Sequence, residues 1–476
     1  ELDSLSDRLA AGLKDLGITK GDRVVLSLPN TPEFIISYYG IMKAGAIVVS
    51  ANPLFKEFEL EFQLKDSGAN TIIANESTYQ VVRNIQGKVN LKNEIVVGAK
   101  SYPGTLPFME LIERHPPHPP LVEINPKQDI AAIQYTGGTT GIPKGAMMSH
   151  YNLVSNAIMN AIWFSWTKEE KVMGVNPLSH TWGLCTTVNS PFYVGATLFL
   201  MLRFDPEKVL QTVDKHKITA FYGVTTLFNM LINHPSIGDY DLSSLRCAKA
   251  GAMPIPEEVK RKWDKITGTQ LILGYGLTEA SPETHNSPPD RIKVGSIGIP
   301  IMDTDAKIVD VETGTKELAP GEVGELAVKG PQVMLGYWQR PEETRETLRD
   351  GWLYTGDIAR MDEEGYFYIV DRSKDMIKYK GYGVYPGEVE NVLYMHPAIK
   401  ECAVVGKPDA EAGEIPKAYV VLKDRHSLSE DELIEFCKQR VSPYKRIREV
   451  QFITEVPKTP VGKVLRRVLR DKERGQ

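Results

Sequence analysis

The sequence predicts an α/β protein: a large N-terminal domain of two doubly wound αβ lobes plus a small β-barrel-like lobe, followed by a small mobile α+β C-terminal domain. Three observations support this class. Short apolar segments alternate with helical segments over residues 1–290, which is typical of βαβ units and parallel sheets. From about residue 293, turns rich in Gly, Pro and Asp separate short strands, which favours an antiparallel or barrel-like unit. Helices and strands mix again after residue 371.

The first lobe is predicted from one continuous alternation. A helical segment covers residues 2–16. Strands are then expected at residues 23–28, 46–50 and 71–74, with helices at 32–43 and 57–65 between them. Because parallel strands need a crossover of this length, the pattern indicates one sheet covered by helices.

The later elements follow the same reasoning. The second lobe is expected to have strands at residues 172–176, 196–201, 220–224, 247–250 and 270–273, with helices such as 206–215 and 256–265. The third lobe is expected to have strands at residues 306–309, 323–329 and 366–370. The C-terminal part is expected to have helices at 388–395 and 430–440, and strands at 403–405, 418–422 and 449–453. We therefore predict a large domain over residues 1–371, a small domain over 372–476, and a hinge at 371–374.

Composition excludes several classes of protein. The 476 residues carry a formal net charge of −5 and are 42% hydrophobic, so no basic excess suggests nucleic-acid binding. The four cysteines form no C-x-x-C pair, which argues against a zinc site or a disulfide framework and favours the cytoplasm. No apolar run reaches the roughly 18 residues of a membrane span. The chain opens at Glu1 within a helical segment, so the natural N-terminus is expected to be missing.

A segment rich in glycine, threonine and lysine covers residues 135–145 (YTGGTTGIPKG), directly after an apolar run. Its glycines let the backbone approach an anion closely, and amides, hydroxyls and an ammonium group can hold phosphate oxygens. It is not a Walker A loop, because Pro143 precedes Lys144 and Gly145 follows it. The residues alone leave two interpretations, a phosphate-binding loop or an ordinary glycine-rich turn.

Two further segments follow predicted strands or turns. Residues 274–279 (GYGLTE) end a strand, where ligands of doubly wound sheets bind. The alternative is a helix start with Thr278 as its cap and Glu279 in its first turn. In residues 354–357 (YTGD), Asp357 could accept hydrogen bonds from two ribose hydroxyls, or the segment could simply be a β-turn.

Two lysine-containing segments lie near the C-terminus. Lys380 and Gly381 belong to residues 378–390, and Lys463 ends residues 457–463 (PKTPVGK). Each lysine alone is best interpreted as a solvated surface residue.

Together, the order and flanking residues of these five segments resemble the adenylate-forming superfamily, which contains acyl-CoA synthetases, beetle luciferases and the adenylation domains of peptide synthetases. The resemblance extends from residues 21–24 to Lys463. It implies that residues 1–371 form an AMP-binding domain and that residues 372–476 form a mobile lid. It also implies ATP, Mg²⁺ and coenzyme A as the cofactor and co-substrates.

The resemblance assigns the nucleotide site residue by residue. The phosphate loop is implied to use Thr136, Gly137, Gly138, Thr139, Thr140, Gly141 and Lys144. Gly251 and Ala252 correspond to the adenine-binding turn, although many members have a double glycine there. Tyr275 is implied to stack on adenine, and Thr278 to touch the α-phosphate.

The remaining roles concern the metal, the ribose and the lysines. Glu279 is implied to hold Mg²⁺, and Asp357 to bind the ribose hydroxyls with Arg372 nearby. Lys463 is implied to bridge the carboxylate and the α-phosphate, and Lys380 with Gly381 to enter the site for thioester formation. The hinge position corresponds to Lys374.

The acyl pocket is predicted from two segments. Residues 176–183 resemble the border of the family's pocket, with His180 as a gate or, alternatively, as a packed loop residue. The expected wall is apolar, with no fixed charge to pair with an amino group, and consists of Phe221, Tyr222, Gly223 and Val224. This disfavours amino acids. The motifs are most similar to those of medium- and long-chain fatty acyl-CoA synthetases, and hydroxycinnamate-like aryl acids are the near alternative.

Two other functions make different predictions about the sequence. A fatty acyl-AMP ligase that loads a carrier protein would share these motifs, but no insertion that blocks the CoA step is recognisable. A catalytically inactive regulator would predict the loss of Lys463, Glu279 or Asp357, and all three are present. The cytoplasm is the expected location. Transient contact with a membrane surface and a homodimer are left open.

Overall fold

The computed structural model describes residues 1–137, 143–251, 255, 257–310, 313–372, 377–384, 386–424, 426–457 and 466–475. Two compact units emerge. The first comprises Glu1–Pro53, Gln63–Tyr135 and Gly145–Asp371; the second comprises Leu54–Phe62, Thr136–Lys144 and Arg372–Gln476. In the described ranges, no helix is both long and apolar enough to cross a bilayer.

The helices of the described part follow in chain order. They are α1 (Leu2–Asp15), α2 (Pro32–Lys43), α3 (Glu57–Ser67), α4 (Glu76–Ile85), α5 (Phe108–Glu113), α6 (His150–Trp163), α7 (Thr181–Gly183), α8 (Ser190–Val194), α9 (Pro206–His216), α10 (Thr225–Ile232), α11 (Glu257–Thr267), α12 (Pro341–Thr347), α13 (Pro386–Tyr394), α14 (Glu430–Lys438) and α15 (Arg466–Glu473).

The strands are β1 (Arg23–Ser27), β2 (Ile47–Ser50), β3 (Thr71–Asn75), β4 (Asn93–Val97), β5 (Leu106–Pro107), β6 (Ile130–Gly137), β7 (Pro143–Ser149), β8 (Lys171–Gly174), β9 (Thr197–Leu200), β10 (Ala220–Val224), β11 (Cys247–Gly251), β12 (Leu271–Gly276), β13 (Glu283–Asn286), β14 (Ile299–Pro300), β15 (Asp305–Val309), β16 (Val323–Lys329), β17 (Gly336–Tyr337), β18 (Leu348–Arg349), β19 (Trp352–Met361), β20 (Phe367–Arg372), β21 (Ile377–Tyr379), β22 (Tyr382–Val384), β23 (Ile399–Asp409), β24 (Gly413–Leu422) and β25 (Glu449–Phe452).

The first sheet has the order β17-β7-β6-β2-β1-β3-β4-β5. Its strands β2-β1-β3-β4-β5 run parallel, and β1 lies between its two sequence successors. This is a doubly wound order. The sequence of β1 is apolar on both faces, as expected for a strand covered by helices on both sides. Helix α2 begins with Pro32 in its first turn and buries Phe34, Tyr38 and Ile41.

The second sheet repeats that order as β9-β8-β10-β11-β12, all parallel, and then continues with antiparallel β13 and β14. Its two faces have different cores. Phe221 of β10 packs with Phe228 and Trp263 of helices α10 and α11. Tyr222, the next residue, packs on the opposite face with Phe164 and Trp166.

The remaining sheets are built mainly of antiparallel strands. The third sheet, in the first unit, has the order β15-β16-β19-β18, with β20 also paired to β19. In the second unit, β22-β21-β24-β23 form a sheet with β25 parallel to β24. Helices α13 and α14 contribute Val389 and Leu433 to the core on one face of that sheet, and α15 contributes Leu469 on the other.

The predicted α/β class is confirmed, and the two lobes are doubly wound as expected. Helix α2 and strands β10 and β16 have the predicted bounds. Most other bounds differ by one to a few residues. The long strand β19 was not predicted, because its TGD segment has the composition of a turn.

Candidate active site

Four strands of the second sheet bring predicted site residues to one edge. Residues 176–183 follow the carboxyl end of β8, Val224 and Gly251 end β10 and β11, and residues 277–279 follow β12. Strands β8 and β10 flank the point where the strand order reverses. Ligands of doubly wound sheets bind outside the carboxyl ends of the strands at such a switch point. The fold therefore gathers these segments where a ligand is expected.

Tyr275 and Asp357 meet directly. The Tyr275 hydroxyl donates a hydrogen bond of 2.6 Å to Oδ2 of Asp357, and both residues are buried. Gly356 adopts φ 69°, and its N–H donates to Glu325 Oε1 at 2.8 Å. The β16–β19 register shifts between Glu325 and Ala327. This irregularity is typical of a β-bulge, which changes the direction of nearby side chains such as that of Asp357. The β-turn alternative is wrong, because these residues lie inside β19.

Glu279 lies in a short 3-10 turn over Thr278–Ala280, and the chain continues into β13, so no α-helix begins here and the helix-start alternative is wrong. Thr278 is half-buried and Glu279 is buried. The Glu279 backbone carbonyl accepts from Met334 N–H at 2.9 Å, and its Oε1 accepts from the Tyr337 hydroxyl at 2.7 Å. Hydrogen bonds thus hold both the backbone and the side chain of Glu279.

The donor set around Glu279 fits a magnesium ion shared with a nucleotide. Among the described residues, no lysine or arginine pairs with Glu279, and its hydrogen-bond donor is a neutral hydroxyl. Within the same ranges, no group of three His, Cys, Asp or Glu residues could hold a metal alone. Mg²⁺ is usually held by one or two carboxylates together with substrate phosphates and waters. One buried carboxylate is therefore a sufficient protein contribution.

The predicted phosphate loop is only partly described. Thr136 and Gly137 end β6, and Lys144 lies in β7 with its side chain half-buried. The central residues, Gly138, Thr139, Thr140 and Gly141, lie outside the described residues. The strands that lead into and out of the loop are thus defined, and the loop contacts remain predictions.

Gly251 closes β11 against an aromatic side chain. A Cβ atom at this position would lie 3.0 Å from Cζ2 of Trp182, closer than ordinary van der Waals contact. A larger residue would have to displace the indole ring. Ala252 lies outside the described residues, so the adenine-binding turn stays a prediction.

The predicted acyl wall needs correction. Successive residues of a strand point to opposite faces, and Phe221 is buried on the helix-facing side away from Tyr222. Phe221 therefore cannot line the same wall as Tyr222. Gly223 is buried, and Val224 precedes helix α10. His180 lies at the start of α7 and reaches solvent, yet the surrounding protein lowers the pKa of its imidazole by desolvation, so the gate and the packed-loop interpretations both stay predictions.

The side of the wall formed by Tyr222 is also more polar than expected. Lys249, its neighbour across the strand pair, forms a buried ion pair with Glu283, and the Lys249 Nζ lies 5.8 Å from the centroid of the Tyr222 ring. Trp182 Nε1 donates to Glu283 Oε1 at 3.2 Å, and Asn286 Nδ2 donates to Oε2 at 3.0 Å. This side of the wall is thus less apolar than predicted. Because the pair is balanced, it leaves no net charge for an amino group.

The second unit presents Lys380 and Gly381 as the turn of a hairpin. They connect β21 to β22, with φ 48° and 85°. Two successive positive φ values are typical of a type I′ turn. Lys380 is exposed, and its N–H donates to Ala412 O at 2.9 Å. Arg372 ends β20. Lys374 and Lys463 lie outside the described residues.

The sequence interpretation missed the partners of the site residues. Tyr337 contacts Glu279 from a position 58 residues away, and Lys249 is 34 residues from Glu283. The sequence contains no spacing rule for such pairs. The only local signal was the proximity of Lys249 to the predicted adenine turn.

Family models match both parts of the chain. Residues 1–338 match the AMP-binding enzyme family, and residues 388–463 match the AMP-binding enzyme C-terminal domain.

Individual relatives extend that match over nearly the whole chain. A long-chain-fatty-acid–CoA ligase of Bacillus subtilis is 44% identical over 504 residues, covering 99% of this chain and 89% of the relative. 4-Coumarate–CoA ligase 1 of Solanum tuberosum is 37% identical, covering 99% and 88%. The crystal structure of a long-chain-fatty-acid-CoA ligase from Archaeoglobus fulgidus has 30% identity and a TM-score of 0.80, covering 95% of this chain and 89% of that one. With its fold, its candidate site and these matches in agreement, the chain belongs to the AMP-binding enzyme family.

Proposed function

We propose that this protein joins a medium- or long-chain fatty acid to AMP, releasing pyrophosphate, and then transfers the acyl group to coenzyme A. The observation that carries the proposal is the pair of buried carboxylate contacts, Tyr275–Asp357 and Tyr337–Glu279, around the carboxyl end of β12. The substrate class is supported by the 44% identity to a long-chain-fatty-acid–CoA ligase over 99% of this chain.

In the first step, a carboxylate oxygen of the fatty acid attacks the α-phosphorus of ATP. The bond from that phosphorus to the α–β bridging oxygen breaks, and pyrophosphate leaves with the electron pair. Such transfer depends on positioning and charge neutralisation more than on covalent help. Asp357 would accept hydrogen bonds from the ribose, and Thr278 would donate to an α-phosphate oxygen. Glu279 would hold Mg²⁺, which neutralises phosphate charge when bound.

In the second step, the sulfur of coenzyme A attacks the acyl carbonyl carbon. The bond between the carbonyl carbon and the phosphate oxygen of AMP breaks. AMP leaves with the electron pair of that bond, and the thiol proton is released. Excluding water during this step prevents hydrolysis of the adenylate. The exposed hairpin turn at Lys380 and Gly381 would serve thioester formation. Lys463 would serve adenylation, and residues 371–374 with Lys374 would be the pivot between the two steps.

A pyrophosphate-release assay over acids from acetate to palmitate tests the substrate class. Each buried methylene contributes about 0.8 kcal/mol, so kcat/KM should climb at least several-fold for every two carbons until the pocket is full. Acyl-CoA should form when coenzyme A is added. An optimum at acetate would contradict the proposal.

Aryl acids are the second candidate, because the 37% identical relative is a 4-coumarate–CoA ligase. The buried Lys249–Glu283 pair beside Tyr222 also supplies polar groups that an aryl hydroxyl could meet. A kcat/KM for coumarate above that for every fatty acid would favour this function. Pyrophosphate release without thioester formation would instead favour a ligase that loads a carrier protein.

The two half-reactions can be separated with Lys463→Ala. Removing a charged donor to the transition state typically costs on the order of 10²–10³ in rate. The variant should lose acid-dependent pyrophosphate release, yet still convert synthetic acyl-adenylate and coenzyme A to thioester. Equal loss of both half-reactions in a normally folded variant would contradict the role of Lys463.

Location and assembly complete the proposal. The cytoplasm agrees with the free, buried state of Cys185, Cys247, Cys402 and Cys437. We also propose two interactions. The protein contacts a membrane surface while it takes up lipid substrate, and it forms a homodimer. Co-sedimentation with anionic vesicles and analytical ultracentrifugation test them.

A further inference from the structure

Asp66 has a largely buried carboxylate that the proposed reaction does not use. It lies near the end of α3, and only 9% of its side chain is exposed. Its two oxygens have different partners. Oδ2 accepts from the Tyr135 hydroxyl at 2.7 Å, and Oδ1 accepts from Arg340 Nη2 at 2.5 Å. The backbone carbonyl of Asp66 also accepts from Trp338 Nε1 at 3.1 Å.

These partners border the two ends of the phosphate loop. Tyr135 directly precedes Thr136, where the loop begins. At the other end, the Trp338 N–H donates to Gly145 O at 2.7 Å. A Cβ atom at Gly145 would lie 3.3 Å from Tyr135 Cζ and 3.4 Å from Trp338 Cβ. One carboxylate therefore connects the residues that flank both ends of the loop.

The same short segment reaches the proposed metal ligand. Strand β17 pairs with β7, with Tyr337 opposite Ala146, and the Tyr337 hydroxyl donates to Glu279. Trp338 follows directly, and Arg340 comes two residues after it. Holding residues 336–340 at Asp66 thus fixes the loop flank and the Tyr337 donor together.

The charges around Asp66 suit a fixed anchor. Arg340 compensates the carboxylate, and Arg23 lies 5.6 Å from the Trp338 ring centroid while its Nε donates to Ser67 O at 2.9 Å. Burial and the hydrogen bond to Asp66 raise the pKa of Tyr135 above its ordinary value, so Tyr135 stays a donor at any assay pH. A charge-assisted bond of this kind is stronger than a neutral one.

We propose that Asp66 is a positioning residue for ATP, which acts through Tyr135 and the 338–340 segment to hold the two ends of the phosphate loop at a fixed separation. The inference rests on the proposed function of that loop. Its consequence is specific: losing the anchor weakens the binding of ATP and leaves the binding of the fatty acid unchanged.

Three variants test this: Asp66→Asn, Tyr135→Phe and the double variant. Each single change should raise the KM for ATP and the ATP dissociation constant measured by calorimetry without acid, by about tenfold, the scale of a lost hydrogen bond to a charged group. The KM for palmitate should stay within about twofold. The double variant should match the more severe single variant, because both changes break one connection.

The chain offers a matched control in Glu170. This buried carboxylate also pairs with an arginine, Arg246, and accepts from a hydroxyl, Thr219 Oγ1 at 2.5 Å. It directly precedes β8 and so lies at the amino edge of the second sheet. Glu170→Gln should lower the melting temperature as Asp66→Asn does, and leave the ATP dissociation constant unchanged.

Each outcome is decisive. Parallel effects of Glu170→Gln and Asp66→Asn on ATP binding, or an equal rise of both KM values, would overturn the proposal. If Asp66→Asn does not fold, Tyr135→Phe carries the test, since it keeps the ring and removes only the hydroxyl. Wild-type protein that binds ATP but activates no acid would refute the proposed function. The calorimetric comparison of ATP binding would still test the role of Asp66.

Discussion

Glu279, in the turn between β12 and β13, and Glu283, the first residue of β13, lie four residues apart, and both are buried, with 8% and 2% exposure. Their partners differ. Glu279 accepts a hydrogen bond from the hydroxyl of Tyr337, whereas Glu283 binds the ammonium of Lys249 and two further donors. Burying a charge without a counter-charge is costly. Glu283 thus forms a completed internal pair, and we propose that Glu279 receives a cation that arrives with the substrate.

The largest expected effect comes from breaking the completed pair. Lys249→Met leaves Glu283 buried without its cation, and losses of this kind are about 3–5 kcal/mol in the free energy of unfolding. Urea unfolding followed by tryptophan fluorescence measures it.

Lys249→Met/Glu283→Leu is the matched control for that change. Replacing both partners of a buried pair by apolar residues is often neutral, so the double variant should recover most of the lost stability. A single variant within about 1 kcal/mol of wild type, the worth of an ordinary hydrogen bond, would show that the pair is not a completed one.

Glu279→Gln should show the opposite pattern. Removing a carboxylate that serves the transition state should lower the rate of pyrophosphate release on the order of 10²–10³-fold. Stability should stay the same or increase, because the change removes a buried charge that no lysine or arginine of the described ranges balances. Activity assays over a magnesium titration and thermal melts measure the two effects. Substantial destabilisation with nearly normal activity would reverse the roles assigned to Glu279 and Glu283.

Tyr337→Phe refines the assignment of Glu279. The change removes the hydroxyl that orients the carboxylate, so we expect an approximately tenfold higher magnesium concentration for half-maximal activity, as for a lost bond to a charged group. Tyr275→Phe is the matched control, because its hydroxyl serves Asp357 and should affect the KM for ATP instead. The same magnesium shift in both variants would contradict separate roles.

The smallest effect is expected for Trp182→Phe. Glu283 would lose one of its donors and keep Lys249 and Asn286. The free energy of unfolding should fall by about 0.5–1.5 kcal/mol. A loss of unfolding free energy as large as that of Lys249→Met would mean that the indole stabilises this region as much as the ion pair does.

These pairs also show what the sequence could and could not predict. The bounds of α2 and β10 follow from local apolar runs between turn residues, and the positions of Tyr275 and Glu279 follow from a recognisable motif at a strand end. Their partners, Tyr337 and Asp357, are set by how distant strands are ordered in the sheets. No local pattern encodes that order.

The wall predicted from residues 221–224 failed for a related reason. The four residues share an apolar composition, but the two-residue period of the strand places Phe221 and Tyr222 on different faces. The polar pair beside Tyr222 comes from another strand and from a hairpin 61 residues further along the chain. Tertiary pairing, which composition does not report, decides both features.

The turn between β12 and β13 also limits how the chain length can vary. The strands pair in antiparallel register, with a shift between Tyr275 and Gly276 that sets which residues of β13 face inward. An insertion that shifted the β12–β13 pairing by one residue would exchange the two faces of β13 and move Glu283 away from Lys249. An added residue near Gly314, between the exposed residues Thr313 and Thr315, would alter only a local turn that contains no candidate-site residue. Length variation among functional descendants of this chain should therefore accumulate after β15 and be absent from residues 277–282.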